Sequence, residues 1–167
     1  MLRAAEYTKE RLQHPVDVVE QLAAANDWSF DRDTEDEISI AVAGGWTDYQ
    51  VAFTWLADIE TLHVSCAFDF KSPDRRRPEI ATLISSINEQ LWAGHFDQWP
   101  NEGVVMHRHG LLLVGGAPPS AAQCAALLDN GISACERYYQ AFQFVLWAGK
   151  SARQAIESAT FETKGQA

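Results

Sequence analysis

The stretch that decides the fold is ISIAVAGGWTDYQVAFTWLADIETLHVSCAFDF, residues 38–70. Apolar and polar side chains alternate along three segments of this stretch, and that period is typical of half-buried β-strands. Gly44-Gly45 and Asp58 separate the segments and are common turn residues. We predict a three-stranded antiparallel meander with one buried face, on which Phe53 and Phe68 point toward covering helices.

Helical patterns surround this meander in the sequence. Pro15 favours the first turn of a helix that precedes the meander. After the meander, apolar residues spaced three and four apart predict a helix near residues 78–93, with Gly94 just beyond its end. Ser120 is a suitable N-cap for a last long helix, and Ser151 for a short closing one.

A second hairpin lies between the later helices. Residues 95–99 and 104–114 are predicted to form its two strands. The element order α-β-β-β-α-β-β-α is typical of an α+β domain in which helices pack on one face of an antiparallel sheet. We place this single domain at 14–162, between an N-terminal tail or frayed helix at 1–13 and a C-terminal tail at 163–167.

Composition narrows the function classes. The 167-residue chain has a net charge of −10, so most of its surface should repel a nucleic acid. Its basic run, Arg75-Arg76-Arg77, is too short for a nucleic-acid interface and suits a solvated edge or an ion pair. No apolar stretch approaches the roughly 18 residues of a membrane span, and the first residues lack a signal-peptide core. We expect neither a nucleic-acid partner nor a membrane partner.

The three cysteines indicate a reducing compartment. Cys66, Cys124 and Cys135 are odd in number and form no C-x-x-C pair. In a helix, Cys124 and Cys135 would lie about 16 Å apart, which is too far for a disulfide. We therefore expect free thiols and a cytoplasmic location.

The histidines raise the question of a metal site. His107 and His109 lie two apart on a predicted strand and so share a face, and His63 and His95 are further candidate ligands. Strict alternation places the first pair either at the rim of the core or, if a bulge occurs near Gly110, on the other face. A hairpin with packed or solvated histidines is favoured, so we predict no metal, cofactor or catalytic residues. The alternative is a small metal- or ligand-binding enzyme that uses these histidines on the 104–114 strand.

Two further patterns fail as functional motifs. The acidic run 31–37 suggests a calcium loop, but Asp36 stands where that loop needs glycine and Val42 where it needs glutamate. We predict a solvated acidic turn there. Cys66 and His63 fall on opposite faces of one strand, so they do not form a catalytic dyad.

The tryptophans and one helix flank are candidates for an interface. The chain has six tryptophans, and several lie near turns, where they are either core residues or anchors for a protein partner. On the flank of the 78–93 helix, four residues are spaced four, three and four apart; the small side chains at 81 and 85 would let a second copy approach, and the tryptophan at 92 would anchor it. The alternative is a solvated helix face with that tryptophan folded back on the domain. Candidate interface residues are Ala81, Ser85, Asn88, Trp92, Trp46 and Trp99.

Several segments together resemble a known family. They are AVAGGWTDYQVAFTW, LHVSCAFDF, INEQLWAGHFDQW, RHGLLLVGG and CERYYQAFQFVLWAGKSARQAI. Over about residues 14–160 the chain resembles the YbjN domain family, to which a role in bacterial sensory transduction is ascribed. The resemblance implies a fold like that of type III secretion chaperones and a non-catalytic, protein-binding domain that forms a homodimer. It brings no catalytic or cofactor residue to this sequence.

The function predicted from the sequence is therefore non-enzymatic. We expect a cytoplasmic domain, chaperone-like or regulatory, that binds another polypeptide and itself.

Overall fold

The structure is a computed structural model and describes residues 10–164, with side chains through Thr160. The helices in that range are α1 (Pro15–Ala25), α2 (Arg77–Asn88), α3 (Ala121–Leu146) and α4 (Ala152–Lys164). The strands are β1 (Ser29–Thr34), β2 (Glu37–Ala43), β3 (Asp48–Leu56), β4 (Thr61–Lys71), β5 (His95–Gln98) and β6 (Val104–Leu112). Most of the predicted tail at 1–13 and the last three residues lie outside the described residues. Helix α4 extends past the predicted boundary at 162.

The strands form one antiparallel sheet in the order β1-β2-β3-β4-β6-β5. The predicted meander is confirmed as β2, β3 and β4, and the predicted hairpin as β5 and β6. The α+β class is also confirmed, since the helices pack against the sheet and one another. Within residues 10–164, no helix combines the length and the apolar character needed to cross a membrane.

Strand β1 corrects one prediction. The acidic segment is not only a turn, because residues 29–34 pair with β2 as an edge strand. Phe30 lies opposite Ile40 on the helix side, while Arg32 reaches α1 and forms ion pairs with Glu20 at 2.7 Å and Asp17 at 3.1 Å. An edge strand has one neighbour and large solvent exposure, so its charged residues hide the strand pattern in the sequence.

The helix-covered face of the sheet carries the core. Phe53 is 1% exposed and Phe68 is 5% exposed, so the prediction that both face the helices is confirmed. Phe68 stacks on Phe96 with ring centroids 5.9 Å apart and meets Phe142 of α3 at 5.1 Å. These aromatic contacts join β4, β5 and α3 into one packed centre.

Helix α2 is shorter than predicted. It ends at Asn88 instead of near residue 93, so Leu91 and Trp92 are not on it. The Asn88 side chain accepts a hydrogen bond from the Phe96 N–H at 2.8 Å and donates one to the Phe96 carbonyl at 3.0 Å. Asparagine favours helix ends because its side chain competes for backbone groups, and here it ties the helix end to β5.

Helix α3 is the longest element and begins as predicted at Ser120. Ser120 and Gln123 exchange side-chain and backbone hydrogen bonds in a capping box. Tyr138 and Phe142 are buried, whereas Trp147 at the helix end is exposed. The apolar second half of α3 is therefore covered by the sheet and by the neighbouring helices except at its end.

Candidate interaction surfaces

The sheet divides the four candidate histidines into two pairs. His107 lies opposite Cys66 and His109 lies opposite Val64, which places both on the helix-covered face. His63 lies opposite Gly110, and His95 lies opposite Arg108, which places both on the uncovered face. Because the pairs are on opposite faces, they do not converge on one metal ion. Among the described residues, no group of three or more His, Cys, Asp or Glu side chains could hold a metal.

His107 belongs to the core. Pairing runs without a break through Gly110, so there is no bulge there, and His107 is 1% exposed. Its ring meets Phe96 edge to face at 5.3 Å, and neither ring nitrogen makes a hydrogen bond of ordinary geometry within the described part of the chain. Burial lowers the pKa of His107 to about 4, His109 adds to this, and the Ala93 backbone opposes it only in part. The imidazole is neutral near pH 7.

A glycine makes room for this histidine. Gly94 has a φ of 73°, and a Cβ added there would lie 2.4 Å from His107 Cε1. A second glycine, Gly131 of α3, brings the helix backbone close to the His107 ring, since its added Cβ would lie 3.7 Å from Nδ1. The His107 side chain therefore fills a space defined by two glycines.

The cysteines also lie in the interior. All three are buried and free, so the expectation of unpaired thiols is confirmed. The Cys135 Sγ lies 3.8 Å from the Cys66 carbonyl. Hydrogen bonding with Cys66, together with burial, raises the pKa of the Cys135 thiol, which keeps it protonated and unreactive. Cys66 faces the core and His63 the other side, as predicted.

The uncovered face carries a small polar network. Arg108 forms an ion pair with Asp97 at 2.9 Å and donates a hydrogen bond to His63 Nε2 at 3.1 Å. Burial and then the Arg108 charge lower the pKa of His63. An imidazole acceptor held by a guanidinium at this site remains neutral.

The predicted interface flank is only partly available. Ala81 and Ser85 are exposed on α2, as the spacing argument expects. Asn88, however, is engaged with the Phe96 backbone, and Trp92 lies beyond the helix end. The four residues therefore do not form one helical stripe.

The candidate tryptophans differ in how much of each indole is free. Trp46 is half-exposed and stacks on Tyr139 at 6.1 Å, in a turn whose backbone N–H groups contact the Glu136 carboxylate. Trp99 is also partly covered. Trp92 is 102% exposed, as much as in an extended chain. Trp147, directly after the end of α3, is a further exposed tryptophan.

The basic run has structural partners. Arg76 donates hydrogen bonds to the carbonyl of Val145, in the last turn of α3, and to that of Lys150, in the loop before α4, each at 2.9 Å. Arg77 forms an ion pair with Asp74 at 2.9 Å. An ion pair was one of the two roles predicted for the basic run, whereas the hydrogen bonds from Arg76 to backbone carbonyls were not predicted from the sequence.

A groove that the sequence did not indicate lies between β6 and α3. This β6–α3 groove has a volume of about 340 Å³. Its lining residues come from three segments distant in the sequence, and they are Ala93, His109, Leu111, Gln123, Ala126, Leu127 and Asn130. His109 Nδ1 and Asn130 Oδ1 are buried without a hydrogen-bond partner in the described part of the chain. The sequence feature that could have indicated this groove is Asn130, a polar residue on the apolar side of α3.

Comparison with known proteins identifies the family. No curated protein matches the chain. The model of the YbjN family, described as "Putative bacterial sensory transduction regulator", matches residues 15–144. That span includes α1, every strand, α2 and nearly all of α3. The chain belongs to the YbjN family.

Proposed function

We propose that this protein is a non-enzymatic regulatory domain that acts in the cytoplasm as a homodimer and binds another polypeptide. The observation that carries the proposal is the Trp92 side chain, which is fully exposed beside the short edge strand β5. An indole left wholly in water is costly, and tryptophan is the residue most enriched among the anchors of protein interfaces.

The surroundings of Trp92 support this proposal. Trp99 follows β5 and exposes 44% of its surface, so the edge strand lies between two accessible indoles. The outward backbone groups of Phe96 are occupied by Asn88, so a partner gains little from adding a strand at that point. A partner would bind mainly through side-chain contacts with the indoles.

The net charge of the chain supports a particular kind of partner, and the family description supports a regulatory role. The net charge of −10 keeps the protein apart from acidic macromolecules and favours a neutral or basic polypeptide segment. The family description names regulation of sensory transduction. The free, buried thiols are compatible with a reducing cytoplasm.

Site-specific crosslinking in cells tests the proposal. A photo-crosslinking amino acid replaces Trp92 in one variant and Trp99 in a second. The matched control replaces Asp31, which is exposed on β1 at the opposite edge of the sheet. We expect adducts with another polypeptide from position 99, adducts with a second copy of this chain or with another polypeptide from position 92, and none from position 31.

Adduct mass separates the two parts of the proposal. A product of twice the chain mass reports the homodimer, and a product of another mass, identified by sequencing, reports the partner. If all three positions give no product with another polypeptide, the partner-binding role is wrong.

A further inference from the structure

The β6–α3 groove and Trp92 lie side by side on the surface. Ala93 lines the groove, and the residue before it is the fully exposed Trp92. We propose that two copies form a two-fold dimer in which Trp92 of each copy occupies the β6–α3 groove of the other. This inference rests on the homodimer proposed above and specifies its contact.

Two-fold symmetry follows from this adjacency. Because Trp92 and the groove lie on the same patch, a single two-fold rotation can place Trp92 of each copy in the groove of the other, which buries both indoles. Trp92 does not fill the groove of its own chain, since its side chain is completely exposed. The groove and the indole therefore both remain free for a second copy.

The groove matches an indole in chemistry. Indole has one N–H donor, no acceptor and a large apolar ring. The groove offers apolar walls from Leu111 and Leu127, and Asn130 Oδ1 is an acceptor without a partner. Since that oxygen has no solvent contact, the Asn130 side chain must rotate toward the groove to accept the indole N–H. His109 Nδ1 is a second acceptor in the tautomer protonated at Nε2, and since it also has no solvent contact, its ring must likewise turn toward the groove.

The contact area sets the expected affinity. Each inserted indole removes about 200 Å² of its own surface from water, and a similar area of groove is covered. Two such contacts bury about 800 Å², which is less than the roughly 1,200 Å² of a stable specific interface and typical of a weak, transient one. We therefore expect a weak dimer whose population depends on concentration.

Sedimentation velocity over a concentration series tests this arrangement. Trp92→Ala removes the inserted side chain, and Ala126→Arg fills the groove from an exposed helix position. Each variant alone should associate at least tenfold more weakly than the wild type. Trp147→Ala, which removes another exposed indole away from the groove lining, should leave association unchanged. Circular dichroism melts confirm that every variant is folded.

A mixture of the two variants gives the decisive result. Trp92→Ala retains the groove and Ala126→Arg retains the indole, so an equimolar mixture keeps one of the two contacts and should associate more strongly than either variant alone. If the mixture associates no more strongly than the separate variants while both are folded, or if Trp92→Ala associates like the wild type, the arrangement is wrong.

The oligomeric state of the wild type separates this inference from the proposed function. A wild type that stays monomeric at every concentration overturns the dimer and this contact together. That outcome does not test the binding of another polypeptide, which the crosslinking experiment tests. A wild-type dimer that is insensitive to both substitutions overturns only the contact.

Discussion

The two faces of the sheet place the same residue type in two different environments. His107 and Arg108 are neighbours on β6, yet the first is packed under α3 and the second forms a polar network on the uncovered face. His63, beside Arg108, keeps a hydrogen-bond partner and partial solvent contact, whereas His107 is buried and its ring nitrogens make no hydrogen bond of ordinary geometry within residues 10–164. Alternate residues of a strand point to opposite faces of the sheet. The position of a histidine along its strand therefore decides whether its ring packs in the core or makes polar contacts.

The two faces should differ most in how much the free energy of unfolding falls when a large side chain is truncated. Phe53→Ala removes a fully buried ring and should lower the free energy of unfolding by about 3–5 kcal/mol, because it leaves a cavity under the helices. Phe68→Ala should have an effect of similar size. Urea denaturation at neutral pH measures both.

Thr54→Ala is the matched control for this truncation. Thr54 is the next residue along β3 and lies on the uncovered face, so its substitution should change the free energy of unfolding by about 0.5 kcal/mol or less. Equal losses at positions 53 and 54 would contradict the contrast between the faces.

Acid should destabilise the covered face through His107. Its folded-state pKa of about 4 lies below the ordinary value of 6.5, so the unfolded chain binds one more proton between these pH values. The free energy of unfolding should therefore fall by up to about 3 kcal/mol as the pH drops from 6.5 to 4, and the His107 contribution should be constant above that window. Urea denaturation across pH 4–7.5 measures the slope.

Substitution separates this histidine from the carboxylates that also titrate in acid. His107→Leu should flatten the slope relative to the wild type, because the neutral apolar side chain binds no proton. A slope that His107→Leu does not alter would mean that His107 titrates normally in the folded protein.

The smallest effect is expected on the uncovered face. Asp97→Asn removes the charge that pairs with Arg108, and both side chains are more than a third exposed. Such a pair is screened by water and salt, so the free energy of unfolding should fall by less than about 1 kcal/mol. Denaturation in low and high salt measures the change, and the difference from the wild type should shrink in high salt. A loss as large as that of Phe53→Ala would show that this face is covered.

The sequence by itself determined the local pattern. Alternation set the faces of β2 to β4, and spacing and caps located α1 and α3, because these signals depend on neighbours within a few residues. Alternation also separated Cys66 from His63. The family could be recognised for the same reason, since its segments occur in order along the chain.

Only the tertiary structure decided how distant segments meet. The end of α2 depends on Asn88 reaching Phe96, and the extra strand β1 depends on pairing with β2 and on Arg32 reaching α1. The β6–α3 groove and the full exposure of Trp92 likewise arise from segments that no local period connects. Long-range contacts of this kind are set by packing, and packing is a property of the folded chain as a whole.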